Sequence, residues 1–458
     1  MTVRETFSWR FVTPLYLSSV LNPINSSLIA VALVPIAHAT GVSVGATAVL
    51  VSALYLASSV AQPTAGKLAE ELGPRRVLLV GIALVLLGGL VGGFGRDITT
   101  LTVARVLIGI GTSAGYPAAM VIIRRRSLRA GLSEPPGGVL GGLSIAGTVT
   151  IAIGPPLGGV LIAAFGWQSA FLINIPVTVI ALALAVAWVP RDEPLARRPL
   201  REIAARIDIC GIVLFGGMMS ALLVFLLSLS WIALAIAVVA GAGLVLWELR
   251  AATPFIDLRL LTSNLALTRT YLRGALTLVA FYTVLYGVTQ WLQVAHGLSA
   301  QDAGLVLLPM GILAAIVSQP ISARNLVRGP LIVGAVSLIL ASAAVLLFTS
   351  NTPVAVIVGV TLLFAITLGS TTVSNQTALY AQAPAEHVGT AAGLFRTFGY
   401  LGSIGSSTII GVVFRQDVTD SGLHVLALVL AGISVVVLAM TLLDRALKPV
   451  KARSAGRS

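Results

Sequence analysis

Charge is what this 458-residue chain has least of: Asp, Glu, Lys and Arg make up only 10% of it, against about 25% in soluble domains. Cysteine occurs once, at Cys210, which excludes internal disulfides and any cysteine-cluster metal site. Only four histidines occur, His38, His296, His387 and His424, and all fall at the ends of apolar runs. No cofactor or metal is therefore expected. Lysine is almost absent, three against 26 arginines, a bias read as the codon usage of a GC-rich bacterium. No cleavable signal peptide is evident. The first apolar run starts after Arg10 and is too long for a signal-peptide core, so it is expected to remain as a span.

Apolar residues are abundant: the chain is 57% hydrophobic, and its mean hydropathy is +1.00. Runs of about 20 apolar residues recur along the whole length, so the chain reads as an integral membrane protein. Lipid requires every backbone polar group to be satisfied internally. The runs lack the alternation of barrel strands, so the expected fold class is all-α and polytopic. Fourteen spans are expected, at about 11–36, 46–64, 77–95, 99–122, 138–164, 169–190, 209–228, 230–248, 271–292, 303–321, 329–348, 353–376, 388–414 and 422–443. An even number places both termini on one side, and Lys and Arg mark that side as cytoplasmic. In that orientation only Arg96 and Arg415 fall outside, while Arg105 and Arg396 lie within spans. The net charge of +13 thus sits in short loops, and no nucleic-acid partner is expected.

Val60-Ala61-Gln62-Pro63 closes the second span, and Val317-Ser318-Gln319-Pro320 closes the tenth. This weak repeat divides the chain into a six-span half over 1–190, a linker and central helix pair over 191–250, and a second six-span half over 251–458. The linker Pro190–Arg206 holds five Arg, two Glu, one Asp and three Pro.

Between the second and third spans lies Gly66-Lys67-Leu68-Ala69-Glu70-Glu71-Leu72-Gly73-Pro74-Arg75-Arg76. It resembles the signature hairpin of the major facilitator superfamily, Gly-x-Leu-Ala-Asp-Arg-x-Gly-Arg-Lys. It departs by Glu70 for Asp, by Glu71 for Arg and by Pro74 before the arginines. Arg105 with Gly109, Ile110 and Gly111 resembles the superfamily's Arg-x-x-Gln-Gly-x-Gly pattern, with Ile108 at the Gln position. Gly154-Pro155-Pro156-Leu157-Gly158-Gly159 resembles the Gly-Pro-x-x-Gly-Gly element of its antiporters. Trp167 to Pro176, WQSAFLINIP, resembles their Trp-Arg-x-x-Phe-x-x-Asn-x-Pro segment. The order of motifs is similar to that of the fourteen-span drug:proton antiporter branch. That resemblance implies alternating access around a midplane site and export of a small amphipathic organic compound across a bacterial plasma membrane. It also implies a latch made by Gly66, Glu70, Gly73, Arg75 and Arg76, although these residues also read as positive-inside anchors. In the fifth span a bend at Pro155 and a close seam at Gly154 and Gly158 are expected.

One departure bears on mechanism. The branch carries Asp in its first span, where this chain has Asn25, and none of the sixteen acids falls near a midplane. A central proton carrier is therefore absent. Polar stripes mark the candidate substrate-binding residues: Asn22 and Asn25 on the first span, Arg105 and Thr112 on the fourth, Tyr282, Tyr286 and Gln290 on the ninth, Thr371 on the twelfth, and Arg396 and Tyr400 on the thirteenth. Each stripe reads either as cavity lining or as interhelical hydrogen bonding, and Arg105 either as a substrate counter-charge or as a strut held by carbonyls. The partners expected are the lipid bilayer and a small-molecule substrate. The rivals are a proton-independent facilitator or anion exchanger using Arg105 and Arg396, a membrane-embedded enzyme, and a receptor without flux.

Overall fold

The computed structural model describes residues 7–132, 136–193, 207–252, 254–383 and 388–447. Most of the expected linker, 194–206, and the last eleven residues lie outside them. Among the described residues there are helices and no strands. The first span is α1 (Trp9–Leu28), a 3-10 turn (Ile29–Val31) and α2 (Leu33–Thr40), with a bend of 62°. Pro35 has no N–H to donate back to Val31, which accounts for the break at Ala32. The helices α3 (Ala48–Leu72), α4 (Pro74–Phe94), α5 (Ile98–Ser113) and α6 (Gly115–Arg129) follow, α5 and α6 forming one span. Next come α7 (Gly137–Phe165), α8 (Ser169–Leu172) and α9 (Asn174–Trp188), then the central pair α10 (Ile209–Ser228) and α11 (Trp231–Glu248). The remaining helices are α12 (Leu258–Ser263), α13 (Leu265–Thr283), α14 (Thr289–Val294), α15 (Ala300–Ala323), α16 (Arg328–Val345), α17 (Val354–Gln382), α18 (Val388–Val413) and α19 (Asp420–Leu443). A π-helical turn, Val284–Val288, joins α13 to α14.

Among the described residues, twelve helices are long and apolar enough to cross a membrane, and the bent first pair makes a thirteenth. The expected fourteenth crossing corresponds to α18. It has the length, 26 residues, but Arg396 and a serine-bearing face lower its hydropathy.

The ends of the chain's two parts interlock. α7 packs along α15, and α3 packs along α18. A Cβ added at Gly159 would lie 2.7 Å from the Ala300 carbonyl, and one at Gly304 would lie 2.4 Å from that of Pro155. α10 and α11 pack on each other, and α10 touches α3 and α18. Their outer faces carry Val213, Trp231, Ile232 and Val239, each at least 65% exposed, as suits contact with lipid acyl chains.

The ninth expected span, 271–292, contains a third arginine beside the two expected within spans. Arg273 lies two turns inside α13 and is fully buried. Its Nη1 stands 3.6 Å from Asp444 Oδ2. Its Nε donates to Asn375 Oδ1 at 2.7 Å and its Nη2 to Thr270 Oγ1 at 3.0 Å. Asp444 is also paired with Arg269 at 3.4 Å. The embedded arginines are thus three, and this one has an acid.

Candidate functional site

Polar side chains from α1, α3, α5 and α9 converge at the middle of the first helical group. Arg105 is 1% exposed. Its Nε donates to the Leu50 carbonyl and its Nη1 to the Asn25 carbonyl, both at 3.0 Å. A buried guanidinium is costly unless its N–H groups are satisfied, and here carbonyls of α1 and α3 meet those of Nε and Nη1 in part. Arg105 thus bridges α1 and α3 through these two carbonyls. Its Nη2 is buried without a hydrogen-bond partner.

Asn25 Nδ2 donates to Asn174 Oδ1 at 2.7 Å, and Asn174 Nδ2 donates back to Asn25 Oδ1 at 2.9 Å. Asn25 also donates to the Leu21 carbonyl at 2.8 Å. The position that carries Asp in the antiporter branch is thus half of a neutral amide pair. Asn22 Nδ2 donates to Ser58 Oγ at 3.2 Å and to Thr112 Oγ1 at 3.0 Å.

Tyrosines span the junction between the two helical groups. Tyr55 and Tyr286 share a hydroxyl–hydroxyl bond of 3.1 Å, and Tyr286 donates to the Ser26 carbonyl at 2.7 Å. Tyr286 lies in the π-helical turn, and such turns often occur at functional sites. Tyr282 stacks on Tyr286 at 5.5 Å, and Tyr55 lies 5.2 Å from Tyr282 and 5.8 Å from Tyr400. Ser52 bonds Ser407 at 2.7 Å, and Tyr400 donates to Gln62. The Arg396 guanidinium sits 3.5 Å from the centre of the Tyr116 ring, a cation–π contact between α18 and α6. Gln290 is buried, and its Oε1 has no partner.

Beside this cluster lies a cavity of about 90 Å³ lined by Pro155, Phe281, Leu285, Met310, Leu368 and neighbours. No charged side chain lines it. Drug-sized pockets hold roughly 300–1,000 Å³, so this cavity is too small for a molecule of that size.

Several expected residues are placed otherwise. Thr371 donates to the Thr367 carbonyl at 2.7 Å, and its methyl lies 2.6 Å from where a Gly334 Cβ would be. The twelfth-span stripe therefore faces α16, because Thr367 and Ser374 bond to the carbonyls of Gly334 and Leu326. Gly66 is not at a tight seam: an added Cβ would meet only Pro117 Cβ, at 3.8 Å. Glu70 is exposed, and among the described residues its carboxylate has no ion-pair partner. The acid that holds the hairpin is Asp192. Its Oδ1 accepts from the Arg75 N–H at 3.1 Å and its Oδ2 from the Arg76 N–H at 2.8 Å. A carboxylate at these first amides of α4 also meets the positive end of the helix. Gly73 has φ +103°, and a Cβ there would lie 2.4 Å from the Asp192 carboxyl carbon. Arg75 Nη2 donates to the Val186 carbonyl at 2.8 Å, and Arg76 Nη1 to that of Leu72 at 3.0 Å. In the fifth span, a Cβ at Gly154 would overlap Ser27 Oγ at 1.8 Å, and one at Gly158 would lie 2.8 Å from the Leu28 carbonyl. α7 runs as one helix through Pro155 and Pro156.

Tyr55, Asn174, Lys67, Asp208 and Glu248 were not among the candidate site residues. Ser52, Tyr55, Ser59 and Gln62 recur at i, i+3, i+7 and i+10 on the second span, a stripe of the kind used for the other spans. Asn174 lies in the WQSAFLINIP motif itself.

A multi-span helical bundle with a closed central polar junction defines a membrane transporter. The chain belongs to the Major Facilitator Superfamily, whose model matches residues 15–407. It is 33% identical to the uncharacterised MFS-type transporter YwoD of Bacillus subtilis, over 92% of this chain and 93% of that one. It is 31% identical to the tetracenomycin C resistance and export protein of Streptomyces glaucescens, over 87% and 74% of the two chains. A crystal structure of the peptide transporter POT, a mutant in complex with alafosfalin, superposes with a TM-score of 0.67 at 14% identity, covering 94% of this chain and 93% of that one. The chain is thus a transporter embedded in the lipid bilayer and acting on a small-molecule substrate, and the reading as a membrane enzyme falls.

Proposed function

We propose that this transporter exports a small amphipathic organic compound by alternating access from a bacterial plasma membrane. It has fourteen crossings in two six-helix halves plus a central pair, and both termini are cytoplasmic. The observation that carries the proposal is the central junction. Hydroxyl–hydroxyl bonds (Tyr55 with Tyr286, Ser52 with Ser407) and the Arg396–Tyr116 contact link helices of the two parts next to an uncharged cavity. Such contacts exchange readily with water, so they suit surfaces that part and rejoin. Tyr282, Tyr286, Tyr400 and Gln290 would meet the substrate when the parts separate, while Asn22, Asn25, Arg105 and Thr112 hold the first part rigid. The tetracenomycin C resistance and export protein among the relatives supports export as the direction of transport.

With Asn25 paired to Asn174, the first-span position that carries Asp in the antiporter branch supplies no titratable group, and coupling to a proton gradient would have to arise elsewhere. Charge movement on solid-supported membranes tests the proposal, using purified protein and cationic, neutral and anionic aromatic compounds with and without a pH gradient. Saturable transport of an uncharged or amphipathic aromatic supports it. Absence of flux for every class, in protein whose fold is intact, would sink it.

A further inference from the structure

The hairpin end of the bundle holds a buried cluster of charged side chains that no feature of the central junction uses. Lys67, from the hairpin end of α3, donates to the carbonyls of Ile207 at 3.4 Å and Pro254 at 3.1 Å. Asp208 caps α10 with φ 61° and is 4% exposed. It accepts three hydrogen bonds: Oδ1 from the Gly211 N–H at 3.0 Å and from Trp247 Nε1 at 2.7 Å, and Oδ2 from the Phe255 N–H at 2.8 Å. Glu248, the last residue of α11, is 1% exposed. Its Oε1 accepts from the Ile256 N–H at 3.2 Å, and its Oε2 is buried with no hydrogen-bond partner. The two carboxyl groups converge over Gly211, where an added Cβ would lie 2.4 Å from Asp208 Oδ2 and 2.7 Å from Glu248 Oε1.

Among the described residues, two ionised carboxylates against one ammonium would leave a net negative charge on two buried carboxyl groups. Like charges at close range and burial both favour protonating one acid. Asp208 has three donors on its carboxyl oxygens. Glu248 Oε2 is buried with no hydrogen-bond partner among the described residues, so Glu248 is the group that takes the proton. We propose that Lys67, Asp208 and Glu248 form a proton-binding site, with Glu248 Oε2 as the acceptor, that ties the signature hairpin to the central helix pair. Protonation leaves a neutral set in which Lys67 faces one carboxylate. Loss of the proton leaves Lys67 facing two and tightens α3 against α10 and α11. Among the described residues, the cations on adjoining helices have their own partners: Arg259 on α12 donates to the Leu249 carbonyl, and Arg396 on α18 lies over Tyr116. This gives the transporter a titratable group far from Asn25, and gives the central pair a role in responding to protons.

The test is an infrared titration of purified protein in nanodiscs, following the carbonyl band of a protonated carboxylic acid between about pH 5 and 9. The expected result is one titrating band that is missing in Glu248→Gln, a substitution that keeps shape and neutralises the site. Lys67→Met should raise the midpoint by about one unit, a tenfold gain in proton affinity, because the cation that favours the carboxylate is gone. Trp247, whose indole bonds Asp208, gives a second readout: its fluorescence, isolated by subtracting a Trp247→Phe sample, should change with the same midpoint. A band that titrates identically in Glu248→Gln, or an unshifted midpoint in Lys67→Met, overturns the proposal. No substrate is involved, so failure here would leave the export reading untouched.

Discussion

Asn25 and Asn174 sit amide to amide, each nitrogen donating to the other's oxygen, at 2.7 and 2.9 Å. Both side chains are buried, so removing one strands the other's polar atoms. Asn174→Leu should lower stability by about 1–3 kcal/mol, the cost of a buried unsatisfied amide, read as a fall in thermal midpoint in detergent. Asn25→Asp should keep a donor from Asn174 and add an ionisable group, making transport more pH-dependent than in the wild type. Identical pH profiles in flux of one identified substrate would refute this.

Arg273 and Asp444 form a buried ion pair. Breaking such a pair from one side costs more than the pair itself contributes, because a charge remains without compensation. Asp444→Asn should destabilise by about 3–5 kcal/mol, and Arg273→Met combined with Asp444→Leu should recover much of the loss. A double variant no better than the single one would argue against the pair as the cause.

The hairpin gives a contrast between neighbouring acids. Asp192 caps the first amides of α4, so Asp192→Ala should cost about 1 kcal/mol and loosen the hairpin. Glu70→Gln should leave both stability and transport near wild type, since its carboxylate is exposed and unpaired among the described residues. Gly73→Ala should be worse than Asp192→Ala, because it adds backbone strain to a clash with Asp192. Thermal midpoints for the three variants, with limited proteolysis of the hairpin, check the order. Equal behaviour of Glu70→Gln and Asp192→Ala would contradict it.

How far the fold is legible in the sequence depends on what each signal measures. Hydrophobic runs report helices, and each expected span has its helix, from Trp9–Leu28 to Asp420–Leu443. The runs report crossings less well: α18 has the length, but its polar face dilutes the hydropathy on which the expectation rests. Stripes report which helix face is protein-facing, not which neighbour it meets. Thr371 and Tyr286 look alike by spacing, yet one packs on α16 and the other bonds α1 and α3. Motif resemblance located the hairpin and the segment that contains Asn174, but the hairpin's acid comes from Asp192, more than 100 residues on, a pairing no local pattern contains. Lys67, Asp208 and Glu248 escaped because each falls at a span end, where a charge is ordinary.

The glycine seam of α7 makes a steric prediction. Gly158→Leu should collide with Leu28 and Val31, the atoms nearest an added Cβ. Overpacking of this kind typically costs about 1–3 kcal/mol. It should also hold α7 away from α1, changing the rate at which engineered single cysteines at the two ends of the bundle react with a water-soluble thiol reagent. Unchanged labelling rates at both ends would count against the seam as a moving part.

Orientation gives the simplest check. A reporter at the N-terminus should be cytoplasmic and a tag beside Asp97 external. The reverse result would invert the positive-inside reading of the loops.

The lone cysteine has a practical consequence. Cys210 is exposed, and it stands two residues from Asp208 at the start of α10. The unaltered protein therefore carries one reactive thiol next to the Lys67–Asp208–Glu248 cluster and none elsewhere. A fluorophore attached there would report on the docking of the central pair without a cysteine-free background, and its spectrum could be followed while the transporter turns over.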